Sequence, residues 1–148
     1  MKTLALDMGS KRIGLAISDD EGTFAFPSGK LERKGRTQDL DALARLIEEK
    51  EIERVVVGVP LHMSGRQSKG ADAARAFAKD LETTAGLTVD TLDERLTTVE
   101  AERALTASGH SAKKQKAVVD SVAASIILST YLALKQGESE RDDEGTPP

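Results

Sequence analysis

Three carboxylates stand where the surrounding residues give them little reason to be. Asp7 closes the apolar run that begins at Leu4, Glu94 follows directly on the run Leu87–Leu92, and Asp120 sits in a stretch, Val118 to Leu134, that is apolar almost all round. An ionised side chain leaves water only when it is paired, hydrogen-bonded or bound to a metal. If the three converge they repel one another, and a divalent cation resolves that repulsion. The 148 residues contain no cysteine, so thiolate sites are excluded and the ligands must be oxygens or histidine. Oxygen ligands suit Mg²⁺ or Mn²⁺, and one or two such ions can activate a water against a phosphodiester without a histidine base.

Taken singly, two of the acids have other readings. Asp93 and Glu94 also fit a solvated turn with favourable charge near the next helix N-terminus. Asp120, whose only nearby base within its own helix is Lys116, also fits a salt bridge or a hydrogen bond from a neighbouring strand.

Bases that suit a polyanion lie beside each acidic segment. Lys11 and Arg12 occupy the first turn, Arg66 and Lys69 follow the fourth apolar run, Arg95 adjoins Glu94, and Lys113, Lys114 and Lys116 precede Asp120. Contacts of this kind position phosphates without reading bases, and their binding weakens steeply with salt. In a chain with 21 basic residues, any one of them also fits an ordinary solvated face. His62 and His110 show no metal-ligand spacing and read as surface residues. Three Phe and one Tyr are too few for a base-stacking platform.

The elements that must position these groups follow from periodicity and punctuation. Thr3–Leu6 and Ile13–Ile17, joined by a Gly/Ser/Lys turn, predict a hairpin, and Thr23–Leu31 a third strand. Thr37-Gln-Asp offers an N-cap to a helix through about Lys50, with Leu40, Leu43, Ala44 and Ile47 at helical spacing. Val55–Val59 suits a strand buried on both faces. A loop through Ser68 then leads into a helix from Lys69 to about Thr84, stopped by Gly86, and a fifth strand, Leu87–Leu92. Thr97-Thr-Val-Glu100 makes a capping box for a short helix ending near Gly109, and Ser111 caps a last helix to about Gln136. The order predicts an α/β fold: a mixed five-stranded sheet, the first three strands antiparallel, strands four and five parallel, with helices on both faces.

Size and composition suit one domain over residues 1–136 with an acidic, disordered tail over 137–148. The net charge of −4 misleads, because the tail carries five acids against one base; without it 20 of each remain. No signal peptide or membrane span is evident, which implies a cytoplasmic protein with no membrane partner. No exposed apolar helix face predicts a strong dimer, so a monomer or weak dimer is expected.

Four segments in this order resemble the YqgF/RuvX family: Leu6-Asp-Met-Gly-Ser-Lys-Arg-Ile-Gly-Leu-Ala-Ile-Ser-Asp19, Val57-Gly-Val-Pro-Leu-His-Met-Ser-Gly65, Asp93-Glu-Arg-Leu-Thr-Thr98 and Asp120-Ser-Val-Ala-Ala-Ser-Ile-Ile-Leu128. The resemblance covers about residues 3–135. It departs from the family pattern mildly, with His62 where an asparagine is frequent and Ser125 in an alanine-rich stretch. It implies a ribonuclease H-like fold and a nuclease whose metal is bound by an acidic triad, here Asp7, Glu94 and Asp120. It also implies that Lys11, Arg12 and Arg95 contact substrate or order the site. The family is described both as pre-16S ribosomal RNA nucleases and as Holliday junction resolvases, so RNA is the favoured substrate and branched DNA the alternative. Two other functions stay open: a nucleotide-binding phosphotransferase, since an Asp-x-Gly hairpin also opens the actin and sugar-kinase fold, and a non-catalytic nucleic-acid-binding assembly factor. Against the first, that fold needs two such domains.

Overall fold

The computed structural model describes the backbone of residues 1–60, 69–98 and 112–145, and the side chains of 1–60, 70–98 and 121–138. The loop with Gly65 and Arg66, the helix expected after Thr97 and the cap at Ser111 lie outside the described residues, as do His62, His110 and the side chains of Lys69, Lys113, Lys114, Lys116 and Asp120.

Strands β1 (Thr3–Met8), β2 (Arg12–Ser18) and β3 (Ala25–Glu32) form the expected antiparallel meander. Helix α1 (Arg36–Glu49) leads to β4 (Arg54–Val59), and α2 (Lys69–Ala85) to β5 (Val89–Asp93). The sheet order is β3-β2-β1-β4-β5, with β4 parallel to β1 and β5 parallel to β4. A three-residue 3₁₀ turn, Glu94–Leu96, follows β5, and helix α3 (Ala112–Gly145) completes the described chain. Among the described residues no helix is long and apolar enough to cross a membrane.

Side chains of successive strand residues alternate between the two faces of a sheet, and here the faces differ in kind. On one, Leu4, Leu6, Ile13, Val55, Val57 and Val59 pack with Leu43 and Ile47 of α1 and Phe77 and Leu81 of α2. On the other, Ala5, Ala16, Val56 and Leu92 meet Ala123, Ala124, Ile127, Leu128 and Tyr131 of α3. Small side chains on both partners let α3 lie close to the strands. Two polar contacts fix its position: the Tyr131 hydroxyl donates to Asp90 on β5, and Ser121 Oγ donates to the Leu15 carbonyl (3.4 Å) and accepts from the Gly29 amide (3.2 Å). Burial, with the Asp90 carboxylate beside it, pushes the Tyr131 phenol well above its ordinary range.

Two boundaries differ from the sequence reading. Helix α1 starts at Arg36, not behind a Thr37 cap: the Gly35 carbonyl accepts from the Asp39 amide (2.8 Å), and the Asp39 carboxylate reaches back to the Lys34 amide (2.9 Å). Helix α3 runs past Gln136 to Gly145, and Lys135 pairs with Glu138 one turn on (3.4 Å), the spacing that supports a helix over an acidic segment.

β3 is an edge strand with most of its side chains exposed. Pro27 lies in it, its pairing with β2 shifts register between Gly14 and Ala16, and Lys30 and Glu32 pair across its end (2.9 Å).

The close seat of α3 gives a direct test. Ala124→Leu adds three carbons to a fully buried position against the sheet, and such overpacking costs about 1–3 kcal/mol. Urea denaturation is expected to show the loss; an unchanged midpoint would mean that α3 does not sit this closely.

Candidate active site

The carboxyl ends of the parallel strands carry the first two acids. Asp7 is next to last in β1, opposite Gly14 of β2. It shares a face with Ala5, the α3 face, and is only 6% exposed. The pairing of β1 with β4 ends at Leu6 and Val57, and Asp7 and Gly58 are the next residue of each strand. Glu94 comes from the other side: β5 ends at Asp93, opposite Val59, and the 3₁₀ turn folds Glu94 back over β4. A Cβ on Gly58 would lie 3.3 Å from Glu94 Cγ and 2.6 Å from Ile127 Cδ1 of α3. Gly58 is therefore the shared floor of the site: its missing side chain makes room for Glu94 and for the helix together. One carboxylate oxygen of Glu94, Oε1, is buried.

Asp120 precedes Ala123 and Ala124 by three and four residues on α3, and those alanines pack on the face that carries Asp7. Of the three expected acids, Glu94 lies against Gly58 and Asp7 lies near the carboxyl end of the neighbouring strand β1. The third is on the helix that packs there, its side chain outside the described residues.

The Asp93-Glu-Arg segment is built differently from the expectation. The Asp93 carboxylate caps the 3₁₀ turn by accepting from the Arg95 amide (2.9 Å), and its oxygens take the Arg95 guanidinium at Nε (2.9 and 3.1 Å) and Nη2 (2.6 Å). Arg95, expected beside a substrate, is first of all the clamp on the turn that carries Glu94. Its guanidinium holds the Asp93 carboxyl below the ordinary value of 3.8. In the sequence Asp93 stood only as part of the Asp93-Glu-Arg motif and of a solvated turn; the signal for its clamp was its place two residues before an arginine at a strand end.

The turn between β1 and β2 lies next to Asp7. The Gly9 amide donates to the Arg12 carbonyl (2.9 Å), and a Cβ on Gly9 would sit 2.5 Å from that oxygen, so no other residue closes this turn without shifting it. Lys11 is exposed and Arg12 half-buried, so in the turn that follows Asp7 it is Lys11 that faces solvent. Arg66, Lys113 and Lys114 cannot be placed relative to them, lying outside the described side chains.

Two outcomes test this geometry. In Gly58→Ala the new methyl group forces the fully buried Ile127 to move, and a loss of about 1–3 kcal/mol in urea denaturation is expected; a neutral effect would mean that the helix and Glu94 do not converge on this glycine. Asp93→Asn removes a carboxyl whose folded pKa is depressed. Its stabilisation is complete above 3.8 and lost as pH falls through the lower folded value. The variant is therefore expected to be less stable by about 0.5 kcal/mol at pH 7, a partly exposed pair being worth little, and to converge on the parent as the pH drops toward 3. A gap of equal size at both ends of that range would mean that the Arg95 clamp is not its source.

Comparison with known proteins places this arrangement. A protein 42% identical over 132 residues, from Anaeromyxobacter dehalogenans (strain 2CP-C), is named as a candidate pre-16S rRNA nuclease; the match covers 89% of this chain and 96% of that one. A protein from Koribacter versatilis (strain Ellin345) bears the same name and is 46% identical over 131 residues, covering 88% and 86%. Among solved structures, RuvC from T. thermophilus in complex with Holliday junction substrate superposes with a TM-score of 0.59 at 12% identity, over 93% of this chain and 96% of that one. A second structure of Thermus thermophilus RuvC gives 0.55 at 17% identity, over 93% and 97%. At such identities the likeness shows the fold, and it bears out the ribonuclease H-like architecture expected from the sequence. The family model of RuvX, described as Holliday junction resolvase, matches residues 1–134, and with these relatives it establishes that the chain belongs to the RuvX (YqgF) family.

Proposed function

We propose that this chain is a divalent-metal-dependent nuclease that hydrolyses phosphodiester bonds in the cytoplasm during maturation of pre-16S ribosomal RNA. The observation that carries this reading is a nearly buried Asp7 near the carboxyl end of β1 and Glu94 packed against Gly58 of the adjacent β4, at the strand ends where open α/β sheets bind their ligands. The names borne by relatives that match 86–96% of their own length support the RNA substrate.

The donor set fits a hard cation. A nearly buried carboxylate, a second with one buried oxygen, and no cysteine suit Mg²⁺ or Mn²⁺. Asp7, Glu94 and Asp120 would hold one or two such ions, which supply Lewis-acid stabilisation of the phosphoryl group and lower the pKa of a bound water. The chain's own residues do the rest. Gly58 keeps the floor open, and Asp93 with Arg95 holds Glu94 in its turn. Lys11 and Arg12 contact substrate phosphates, joined by Arg66, Lys113 and Lys114. Arg95 keeps a share in that contact through the part of its side chain left exposed. Binding by such point charges is expected to weaken with salt. A monomer or weak dimer suffices for a single cut.

The family description favours one alternative, cleavage of branched DNA, which demands a dimer with two sites. A direct comparison decides between them. With Mn²⁺, the protein is expected to cut a labelled pre-16S RNA fragment in preference to a four-way DNA junction. Asp7→Asn is expected to lose at least about 100-fold in rate, more than the loss of an outer-shell group would cause. Preferential cutting of the junction by a dimeric species would favour the resolvase. Equal cleavage by both proteins would remove Asp7 from the chemistry, and salt-sensitive RNA binding with no cleavage by either would favour a non-catalytic assembly factor.

A further inference from the structure

Arg33 stands just beyond β3, in the charged run Glu32-Arg-Lys34, and nothing in its local sequence sets it apart. Its contacts do. Its Nη1 donates to the Gly9 carbonyl (2.9 Å), inside the β1–β2 turn. Its own amide donates to the Lys11 carbonyl in the same turn (2.9 Å). Its Nε donates to the Asp39 carboxylate (3.4 Å), and its guanidinium carbon lies 5.8 Å from the centre of the Phe77 ring on α2.

The other ends of these contacts are fixed. Asp39 is 3% exposed and Phe77 1%, and the second oxygen of Asp39 accepts from the Lys34 amide (2.9 Å). A guanidinium is planar and presents several donors in a rigid fork, so one side chain bridges a carbonyl and a carboxylate at set angles, which an ammonium cannot do. The turn that carries Lys11 and Arg12 is thereby tied to the first turn of α1 and to the body of α2.

We infer that Arg33 is a positioning residue for the phosphate-binding turn: held by Asp39 and Phe77, it fixes the Gly9–Arg12 turn and so the place at which Lys11 meets a substrate phosphate beside Asp7. The inference rests on the nucleic-acid reading above, but the ordering of the turn has its own readout. Arg33 acts through Lys11, not by touching substrate. Loss of Arg33 leaves the lysine in the chain and removes its address.

The test has two arms. Amide hydrogen exchange, followed by mass spectrometry on the full chain, is expected to quicken about tenfold over residues 8–12 in Arg33→Ala, with no change over β4, because the turn loses its side-chain tether to Asp39 and keeps at position 33 only the backbone bond to the Lys11 carbonyl. Arg33→Lys, which keeps the charge and loses the fork, is expected to fall between. In the second arm, the dissociation constant for a fluorescent RNA oligonucleotide in EDTA is expected to rise about fivefold in Arg33→Ala and in Lys11→Ala, and by no more than about that in the double variant, since residues acting through one contact are not additive. With Mn²⁺ and saturating RNA, kcat of Arg33→Ala is expected within about threefold of the parent while KM rises, the pattern of a lost binding contact.

Unchanged exchange over residues 8–12 would overturn the inference, as would losses in RNA affinity that multiply in the double variant, or full affinity in Arg33→Ala despite faster exchange. If the parent protein proved unable to cut RNA, the functional reading would fall while exchange and affinity still decided the role of Arg33.

Discussion

Helix α3 can approach the sheet only because that face is paved with small side chains. Ala5 and Ala16 on the strands face Ala123 and Ala124 on the helix, and Gly58 leaves its place to Ile127. The opposite face is filled in the usual way by Leu, Ile, Val and Phe. This difference in size places the acids. A carboxylate loses water where a helix packs on its face of the sheet, and Asp7, on the same face as Ala5, is nearly buried. Larger residues on this face would lift the helix and return Asp7 to solvent.

Around that constraint the chain uses clamps of one kind. Arg95 grips Asp93 and so sets the turn bearing Glu94; Arg33 grips Asp39 and so sets the turn bearing Lys11. In each pair the guanidinium and carboxylate come from segments outside the regular elements or at their ends, where backbone hydrogen bonds alone leave the chain loose. The charges that first look like solvated surface are in part the means by which loops are held to a rigid sheet.

Much of this was legible in the sequence, for identifiable reasons. The meander, the buried fourth strand and the helices on both faces follow from periodicities of two and 3.6 and from glycine and proline punctuation. Asp7 and Glu94 stood out because each comes at or just past the end of an apolar run, and the structure sets each at the carboxyl end of a parallel strand of one sheet. What could not be read depends on contacts distant in sequence. Nothing near Arg33 announces the Gly9 carbonyl, 24 residues away. Arg95 was expected at the substrate because Asp93, read with Glu94 as a solvated turn, gave no sign of holding it. The start of α1 was misplaced because Asp39, inside the helix, reaches back to serve the residues before it, a role that local propensity assigns to Thr37.

The edge strand has a consequence for how copies of this chain could assemble. β3 carries Pro27, which has no amide hydrogen to offer a neighbour, a shift in register, and a Lys30–Glu32 pair across its end. Features of this kind make an edge a poor template for a further strand. Lateral growth into a continuous sheet shared between molecules, whether an ordered pair or a fibril, is disfavoured along this edge.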